Sequence, residues 1–110
     1  MEFVELPRFT AIVTALVSDE DYRRFQTELI KNPETGDVIQ GTSGFRKARM
    51  RLAGGGKSGG ARVIYLFLAE HGVIFLATLY KKAKRETLTQ DEKQNLKQIA
   101  QSLKANYKLG

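Results

Sequence analysis

The chain has 110 residues and a formal net charge of +6, with one histidine and no cysteine. The length fits a single domain over residues 1–110, and a hydrophobic content of 42% is enough for a packed core, which argues against disorder. The lack of cysteine excludes disulfides, thiolate metal sites and thiol chemistry, and fits a cytoplasmic location. We expect no signal peptide and no membrane span, because every apolar run is short.

The first third of the chain predicts a short strand followed by two helices. Residues 2–5 form a strand that ends before Pro7, and residues 9–16 are apolar enough for a short helix. A second helix begins after Ser18, a good N-cap residue, with acidic residues in its first turn, where the helix dipole favours them. Its end is predicted at Asn32-Pro33. The buried stripe of this helix should consist of Tyr22, Phe25 and Leu29.

After a turn at Gly36-Asp37, three apolar segments are predicted to pair as an antiparallel meander. They span residues 45–52, 61–68 and 73–80. Thr89 and Glu92 have the spacing of a capping box, which starts a C-terminal helix. The buried face of that helix should contain Leu96, Ile99, Ala100, Leu103 and Tyr107. The predicted fold class is α+β, with an N-terminal strand and two helices packed on a three-stranded antiparallel sheet, and a C-terminal helix.

The strand predicted over residues 45–52 has one strongly basic face. Alternation places Lys47, Arg49 and Arg51 on one face, and apolar residues on the other. No acidic residue occurs between Asp37 and Glu70, whereas six basic residues do, which equals the net charge of the whole chain. These six residues are Arg46, Lys47, Arg49, Arg51, Lys57 and Arg62. Because clustered like charges weaken folding, we expect this face to bind an anionic partner. We also expect no acidic side chain of the protein to lie beside this face.

Other motifs have simpler interpretations. The glycine-rich run 54–60 lacks the spacing of a phosphate-binding P-loop and precedes a strand, so a flexible hairpin connection explains its glycines. Lys57, within this run, could swing over a bound phosphate backbone. The single histidine, His71, lies in a predicted turn and indicates no metal site. The basic residues Lys81, Lys82, Lys84 and Arg85 are either a solvated strand end or a continuation of the basic face.

Three segments in chain order carry a family resemblance. They read Gly-Asp-Val-Ile-Gln-Gly-Thr-Ser-Gly-Phe-Arg-Lys-Ala-Arg (36–49), Gly-Gly-Ala-Arg-Val-Ile-Tyr (59–65) and Thr-Leu-Tyr-Lys-Lys (78–82). Together they resemble RelE-superfamily toxins of toxin–antitoxin systems, and among these the HigB-type branch. The resemblance implies a RelE-like microbial RNase fold and a ribosome-dependent mRNA endonuclease that inhibits translation. It also implies a cognate helix-turn-helix antitoxin that holds the toxin inactive.

Matched segment by segment, the resemblance implies positions for the functional residues. Lys47 and Arg49 match two basic positions of the family's second strand, Arg62 matches the arginine that opens the next strand, and Lys82 matches a basic residue after the last one. The chain departs from the pattern at Leu88, where some members carry a catalytic tyrosine. This departure puts more weight on the lysines.

The expected chemistry is metal-independent cleavage of RNA with no cofactor. Attack by a 2′-hydroxyl, which yields a 2′,3′-cyclic phosphate, needs a base, stabilisation of the phosphorane and a proton for the leaving 5′-oxygen. Arg62, with its forked donors, suits the phosphate oxygens. Lys47 is the candidate base, because neighbouring cations favour its neutral form. Lys82 is the candidate proton donor or a second group that stabilises the phosphorane. The sequence does not decide which of the two lysines is the base and which is the acid. The predicted RNA-binding residues are Arg46, Arg49, Arg51, Lys57, Lys81, Lys84 and Arg85.

Two other classes of function could use the same basic face. A non-catalytic RNA- or DNA-binding module would need exposed aromatic side chains for base stacking. The basic side of strand 45–52 has none, and Tyr65, Phe67 and Phe75 are expected in the core. A protein-binding module would use the cations to hold an acidic segment, and antitoxin binding is a special case of this. The expected partners are therefore ribosome-bound mRNA and an antitoxin.

Overall fold

The structure is a computed structural model that describes residues 1–53, 60–82 and 87–109, with side chains described as far as Tyr107. The elements in these ranges are β1 (Glu2–Glu5), α1 (Pro7–Leu16), α2 (Asp19–Lys31), β2 (Asp37–Val38), β3 (Arg46–Met50), β4 (Ala61–Leu68), β5 (Val73–Lys81) and α3 (Gln90–Leu109). None of these three helices has the length and apolar character needed to cross a membrane.

The strands form one mixed sheet in the order β1-β5-β4-β3-β2. β3, β4 and β5 are the predicted antiparallel meander, and the α+β class is confirmed. The sheet is larger and less uniform than predicted, because β1 joins it in parallel beside β5 and β2 adds an edge beside β3. The turn expected at Gly36-Asp37 is thus replaced by a short strand that begins at Asp37.

α2 and α3 begin where their capping residues predict. Ser18 Oγ accepts a hydrogen bond from the Asp21 N–H at 3.1 Å. The capping box of α3 is reciprocal, since the Thr89 N–H donates to Glu92 Oε1 at 2.8 Å and the Glu92 N–H donates to Thr89 Oγ1 at 3.1 Å. α1 starts earlier than expected because Pro7, which ends β1, also suits the first turn of a helix.

Helices cover both faces of the sheet. On the face called here the α1/α2 face, Phe9, Val13, Phe25 and Leu29 pack on the side chains of the central strands, among them Tyr65. On the opposite face, called the α3 face, the packed residues are Leu88, Leu96 and Ala100 from the C-terminal part and Phe45, Ile64, Leu66, Val73, Phe75 and Ala77 from the sheet and its margin. Tyr65 and Phe75 are buried as predicted, and Phe67 is half-buried.

A buried tyrosine fixes the loop between α2 and β2. The Tyr65 hydroxyl donates to the Pro33 carbonyl at 2.7 Å and accepts from the Gly36 N–H at 3.0 Å. Burial raises the pKa of Tyr65 above its ordinary value, so the phenol keeps the proton that it donates. Gly36 packs so closely on β3 that a Cβ there would lie 2.8 Å from the Lys47 carbonyl oxygen. Arg46 closes the loop from outside, with Nη1 donating to the Gly36 carbonyl at 2.7 Å.

We predict that Tyr65→Phe lowers the free energy of unfolding by about 1–3 kcal/mol, because it removes the hydrogen-bond partner of a buried backbone N–H. Urea unfolding at neutral pH, followed by far-UV circular dichroism, measures this loss. The matched control is Tyr107→Phe, whose hydroxyl makes no hydrogen bond within the described residues and whose change should stay within about 0.5 kcal/mol. Equal stability of the two variants would contradict a structural role for the Tyr65 hydroxyl.

Candidate active site

Two arginines and a tyrosine form a row across three strands. The register pairs Arg49 of β3 with Arg62 of β4, and Arg62 with Tyr80 of β5. Side chains at directly opposite positions point to the same face of a sheet. Arg62 precedes Ile64, a core residue of the α3 face, by two positions, so the row lies on the α3 face. We call these three residues the arginine row.

Lys47 lies beside the arginine row on the same face. It is half-buried, and the register places Asp37 of β2 opposite it on one side and Ile64 on the other. The expectation that no acid lies beside the basic face is therefore wrong. The sequence separates Asp37 from Lys47 by ten positions, and only the pairing of β2 with β3 brings them together.

Two open surface pockets meet at Asp37 and Lys47. The first has a volume of about 320 Å³, and its described lining includes Glu28, Arg49 and Arg62. The second has a volume of about 290 Å³ and reaches the start of α3, with Thr87, Leu88 and Lys93 in its lining. Asp37 and Lys47 are the described residues that line both pockets. Such a site offers cations for a phosphate beside a carboxylate that can exchange a proton.

The other predicted basic residues have different locations. Arg51 is exposed just after the end of β3, and Lys82 is exposed just after β5, where its N–H donates to the Gly60 carbonyl at 3.1 Å. Lys81 lies opposite Ala61, whose side chain belongs to the α1/α2 face, so Lys81 projects away from the arginine row. The predicted residues Lys57, Lys84 and Arg85 lie outside the described residues.

Arg46 was predicted to contact RNA, but here its guanidinium holds the α2–β2 loop. Nη1 donates to the carbonyl of Glu34 at 3.2 Å and to that of Gly36 at 2.7 Å, and Nη2 lies 3.3 Å from Glu34 Oε2. Strand alternation explains this position, because Arg46 shares its face of β3 with the buried residues Ala48 and Met50. Arg46 therefore positions the segment that leads into Asp37.

Tyr80, like Asp37, is a site residue that the sequence did not reveal. In a regular hairpin, the pairing of Leu68 with Val73 would place Leu79 opposite Arg62. A register shift between Ile64 and Tyr65 puts Tyr80 there instead. Nothing in the apolar run 73–80 marks this shift, so the sequence offered no signal.

Leu88, in contrast, is a core residue. It is buried and packs with the residues of α3 on the α3 face. An apolar side chain at this position therefore has a packing role. Leu88 also lines the second pocket together with Lys47, so the segment before α3 passes close to that lysine.

A buried aspartate anchors the segment after β3. Asp21 Oδ2 accepts from the Ala53 N–H at 3.1 Å, and Oδ1 pairs with Arg24 Nη2 at 2.5 Å. Arg24 Nη2 also donates to the Arg51 carbonyl at 3.2 Å. The hydrogen bond from Ala53, helped by Arg24, holds the pKa of Asp21 below its ordinary value although burial opposes this. The end of β3 that follows Arg49 is thus tied to α2.

Charge is segregated along the chain. Residues 1–37, which include β1, α1 and α2, have eight acidic and four basic residues, for a net charge of −4. Residues 38–110 have four acidic and fourteen basic residues, for a net charge of +10, and these sum to +6. Outside residues 38–69, the segment that contains the six clustered basic residues, acidic and basic residues are equal in number but unevenly distributed along the chain. α1 and α2 together hold four acidic and four basic residues and have no net charge, whereas the arginine row and Lys47 make the opposite face basic.

Comparisons with known proteins agree on one family and one fold. Residues 26–109 match the family model described as the RelE toxin of the RelE/RelB toxin–antitoxin system. The fold is similar to that of an arginine-to-alanine double mutant of the E. coli toxin RelE in the free state, with a TM-score of 0.57 and 19% identity over 77% of this chain and 86% of that chain. It is also similar to the intact E. coli RelBE toxin–antitoxin complex, with a TM-score of 0.56 and 20% identity over 73% of this chain and 94% of that chain. These likenesses confirm the predicted RelE-like fold.

The lowered pKa of Asp21 predicts an acid-sensitive contribution to stability. A carboxyl whose pKa is lower in the folded state stabilises the protein above its unfolded pKa, and this stabilisation is lost as pH falls through the folded value. We expect the free energy of unfolding to decrease as the pH is lowered below about 4. Asp21→Asn should be less stable than wild type at pH 7 and should lose less of its stability in acid. Urea titrations from pH 7 to pH 2.5 test this. The matched control is Asp19→Asn, which removes a charge from the same helical turn but leaves the contacts of Asp21 with Ala53 and Arg24 in place, and it should lose less stability at pH 7 than Asp21→Asn.

Proposed function

The chain belongs to the RelE toxin family of toxin–antitoxin systems, and we propose that it is a toxin of the HigB-type branch that stops translation by cutting ribosome-bound mRNA in the cytoplasm. All of residues 1–110 would act as one toxin domain. The observation that carries this proposal is the pocket in which Lys47, Arg49 and Arg62 meet on one face of the sheet.

The positions of the side chains support distinct roles in the reaction. Arg62, half-buried between Arg49 and Tyr80, would hold the scissile phosphate with its forked guanidinium and stabilise the phosphorane. Lys47 and Lys82 would supply the base, the acid or further charge. The 2′-hydroxyl would attack the phosphorus, and the products would be a 2′,3′-cyclic phosphate and a free 5′-hydroxyl.

Additional cations would hold the flanking nucleotides by their phosphates. Arg49 and Arg51 are both exposed and extend the basic face along β3 and past its end. Lys57, Lys81, Lys84 and Arg85 remain proposed RNA-binding residues. Arg46 is proposed to act indirectly, through the α2–β2 loop that it holds. Because phosphate contacts release counterions, binding to RNA should weaken steeply with salt.

A helix-turn-helix antitoxin is the second proposed partner. The structural likeness to the E. coli RelBE toxin–antitoxin complex supports an antitoxin for this chain. An acidic antitoxin segment over the arginine row would compete directly with RNA. A non-catalytic RNA-binding or antitoxin-binding module would use the same face, but Tyr65 and Phe75 are buried and offer no stacking platform.

We predict that expression of the wild-type chain alone arrests growth, and that Arg62→Ala abolishes the arrest while the protein stays folded. Loss of a preorganised charge on the phosphate should slow cleavage of ribosome-bound mRNA by about 10²- to 10³-fold. The control is Lys31→Ala, which removes an exposed cation from the end of α2 and should remain toxic. Growth arrest by Arg62→Ala would contradict the proposed role, and so would a variant that is unfolded by circular dichroism.

We also predict that cleavage requires the ribosome and resists chelators. Among the described residues, no group of three or more histidine, cysteine, aspartate or glutamate side chains is placed to bind a metal ion. The ribosome would align the attacking oxygen, which is worth several powers of ten in rate. The measurement is cleavage of one transcript, free and ribosome-bound, with EDTA at concentrations that leave ribosomes intact. Efficient cutting of the free transcript, or rescue by a divalent ion after chelation, would overturn this mechanism.

A further inference from the structure

Asp37 is the carboxylate that the fold places in the middle of the candidate site. It lies opposite Lys47 in the β2–β3 pair, so the two Cβ atoms are about 5 Å apart on one face. It lines both pockets that meet there, whereas Glu28, on α2, lines only the first. Asp37 is exposed and can therefore reach a bound nucleotide.

The backbone that carries Asp37 is held in place from several sides. The preceding residue, Gly36, accepts a hydrogen bond from Arg46 at 2.7 Å and donates one to the Tyr65 hydroxyl at 3.0 Å. It also sits against the Lys47 carbonyl with no room for a side chain. A group that transfers a proton must be held within hydrogen-bonding reach of the reacting atom, and these contacts supply that constraint.

The chemistry of the neighbouring groups leaves the proton-accepting role to a carboxylate. An ammonium group must first lose its own proton before it can act as a base, whereas an ionised carboxylate accepts a proton directly. The charged groups that face Asp37 from the packed elements are Lys47, Arg49 and Arg62 from the sheet, Lys93 from α3 and Glu28 from α2. Four of these five are cations that bind phosphate well but are poor proton acceptors.

We propose that Asp37 is the general base of the cleavage reaction and that Lys47 holds the phosphate beside it. This inference rests on the proposed function and adds a catalytic residue to it. The Asp37 carboxylate takes the proton of the 2′-hydroxyl, and the 2′-oxygen forms a bond to phosphorus. The bond from phosphorus to the 5′-oxygen breaks with its electron pair, and the 5′-oxygen takes a proton from an ammonium group, for which Lys82 is the candidate. Asp37 then returns its proton to water, and the neutral Lys82 amine takes a proton from water.

The first test compares Asp37→Asn with wild type in single-turnover cleavage of ribosome-bound mRNA. Loss of a general base should slow the reaction by about 10²- to 10⁴-fold. The half-saturating toxin concentration should stay equal or fall, because the variant removes a negative charge from an RNA-binding surface. Asp37→Glu, which keeps a carboxylate, should retain more activity than Asp37→Asn. The control is Glu70→Gln, which removes one exposed negative charge at the far end of the β4–β5 hairpin and should cleave normally.

The second test determines whether Asp37 acts as the base on the 2′-hydroxyl or as the acid on the leaving 5′-oxygen. In a transcript with sulfur in place of the 5′-bridging oxygen at the cleavage site, the leaving group departs without a proton. Asp37→Asn should remain as defective on this substrate as on the normal one, since activation of the 2′-hydroxyl is still needed. Lys82→Ala should be largely rescued if Lys82 is the acid. Rescue of Asp37→Asn by the sulfur substrate would overturn the assignment of Asp37 as the base.

The outcomes distinguish this inference from the proposed function. Uncut ribosome-bound mRNA with wild-type protein would refute the proposed function itself. Normal cleavage by both wild type and Asp37→Asn would refute only the role of Asp37. A raised half-saturating concentration or a lowered melting temperature in Asp37→Asn would show that Asp37 is structural and would also overturn the inference.

Discussion

The hydrogen bonds of the Tyr65 hydroxyl connect the hydrophobic core to the basic face, and the geometry of the site depends on them. The ring of Tyr65 lies in the core beneath α1 and α2, while its hydroxyl reaches the backbone of the α2–β2 loop at Pro33 and Gly36. That loop leads directly into β2, which has only two residues and could not keep its place by strand pairing alone. The core therefore determines the position of a residue at the surface.

Much of the fold could be predicted because its signals are local. Capping residues marked the starts of α2 and α3, and β4 spans the residues predicted for it, 61–68. Period-two alternation also separated the buried side of β3 from the side that carries Lys47 and Arg49. These features depend on residues within a few positions of each other, where side-chain chemistry acts on the neighbouring backbone.

The features that sequence reasoning missed depend on contacts between distant parts of the chain. β1 joins β5 in parallel, and no local pattern records which edge of a sheet a short strand will take. The role of Gly36 follows from a close approach to β3, which no local pattern records, so the sequence alone predicts a turn at Asp37. The register shift at Ile64 and Tyr65 arises between two apolar strands whose sequences would suit either register, and it alone places Tyr80 opposite Arg62.

The uneven distribution of charge, with a net −4 over residues 1–37 and +10 over the remainder, bears on how the molecule meets a polyanion such as RNA. α1 and α2 together hold four acidic and four basic residues, so these helices offer a polyanion no net attraction. The face that carries the arginine row presents Lys47, Arg49 and Arg62. Electrostatic steering therefore favours encounters through that face, which raises the fraction of collisions that are productive.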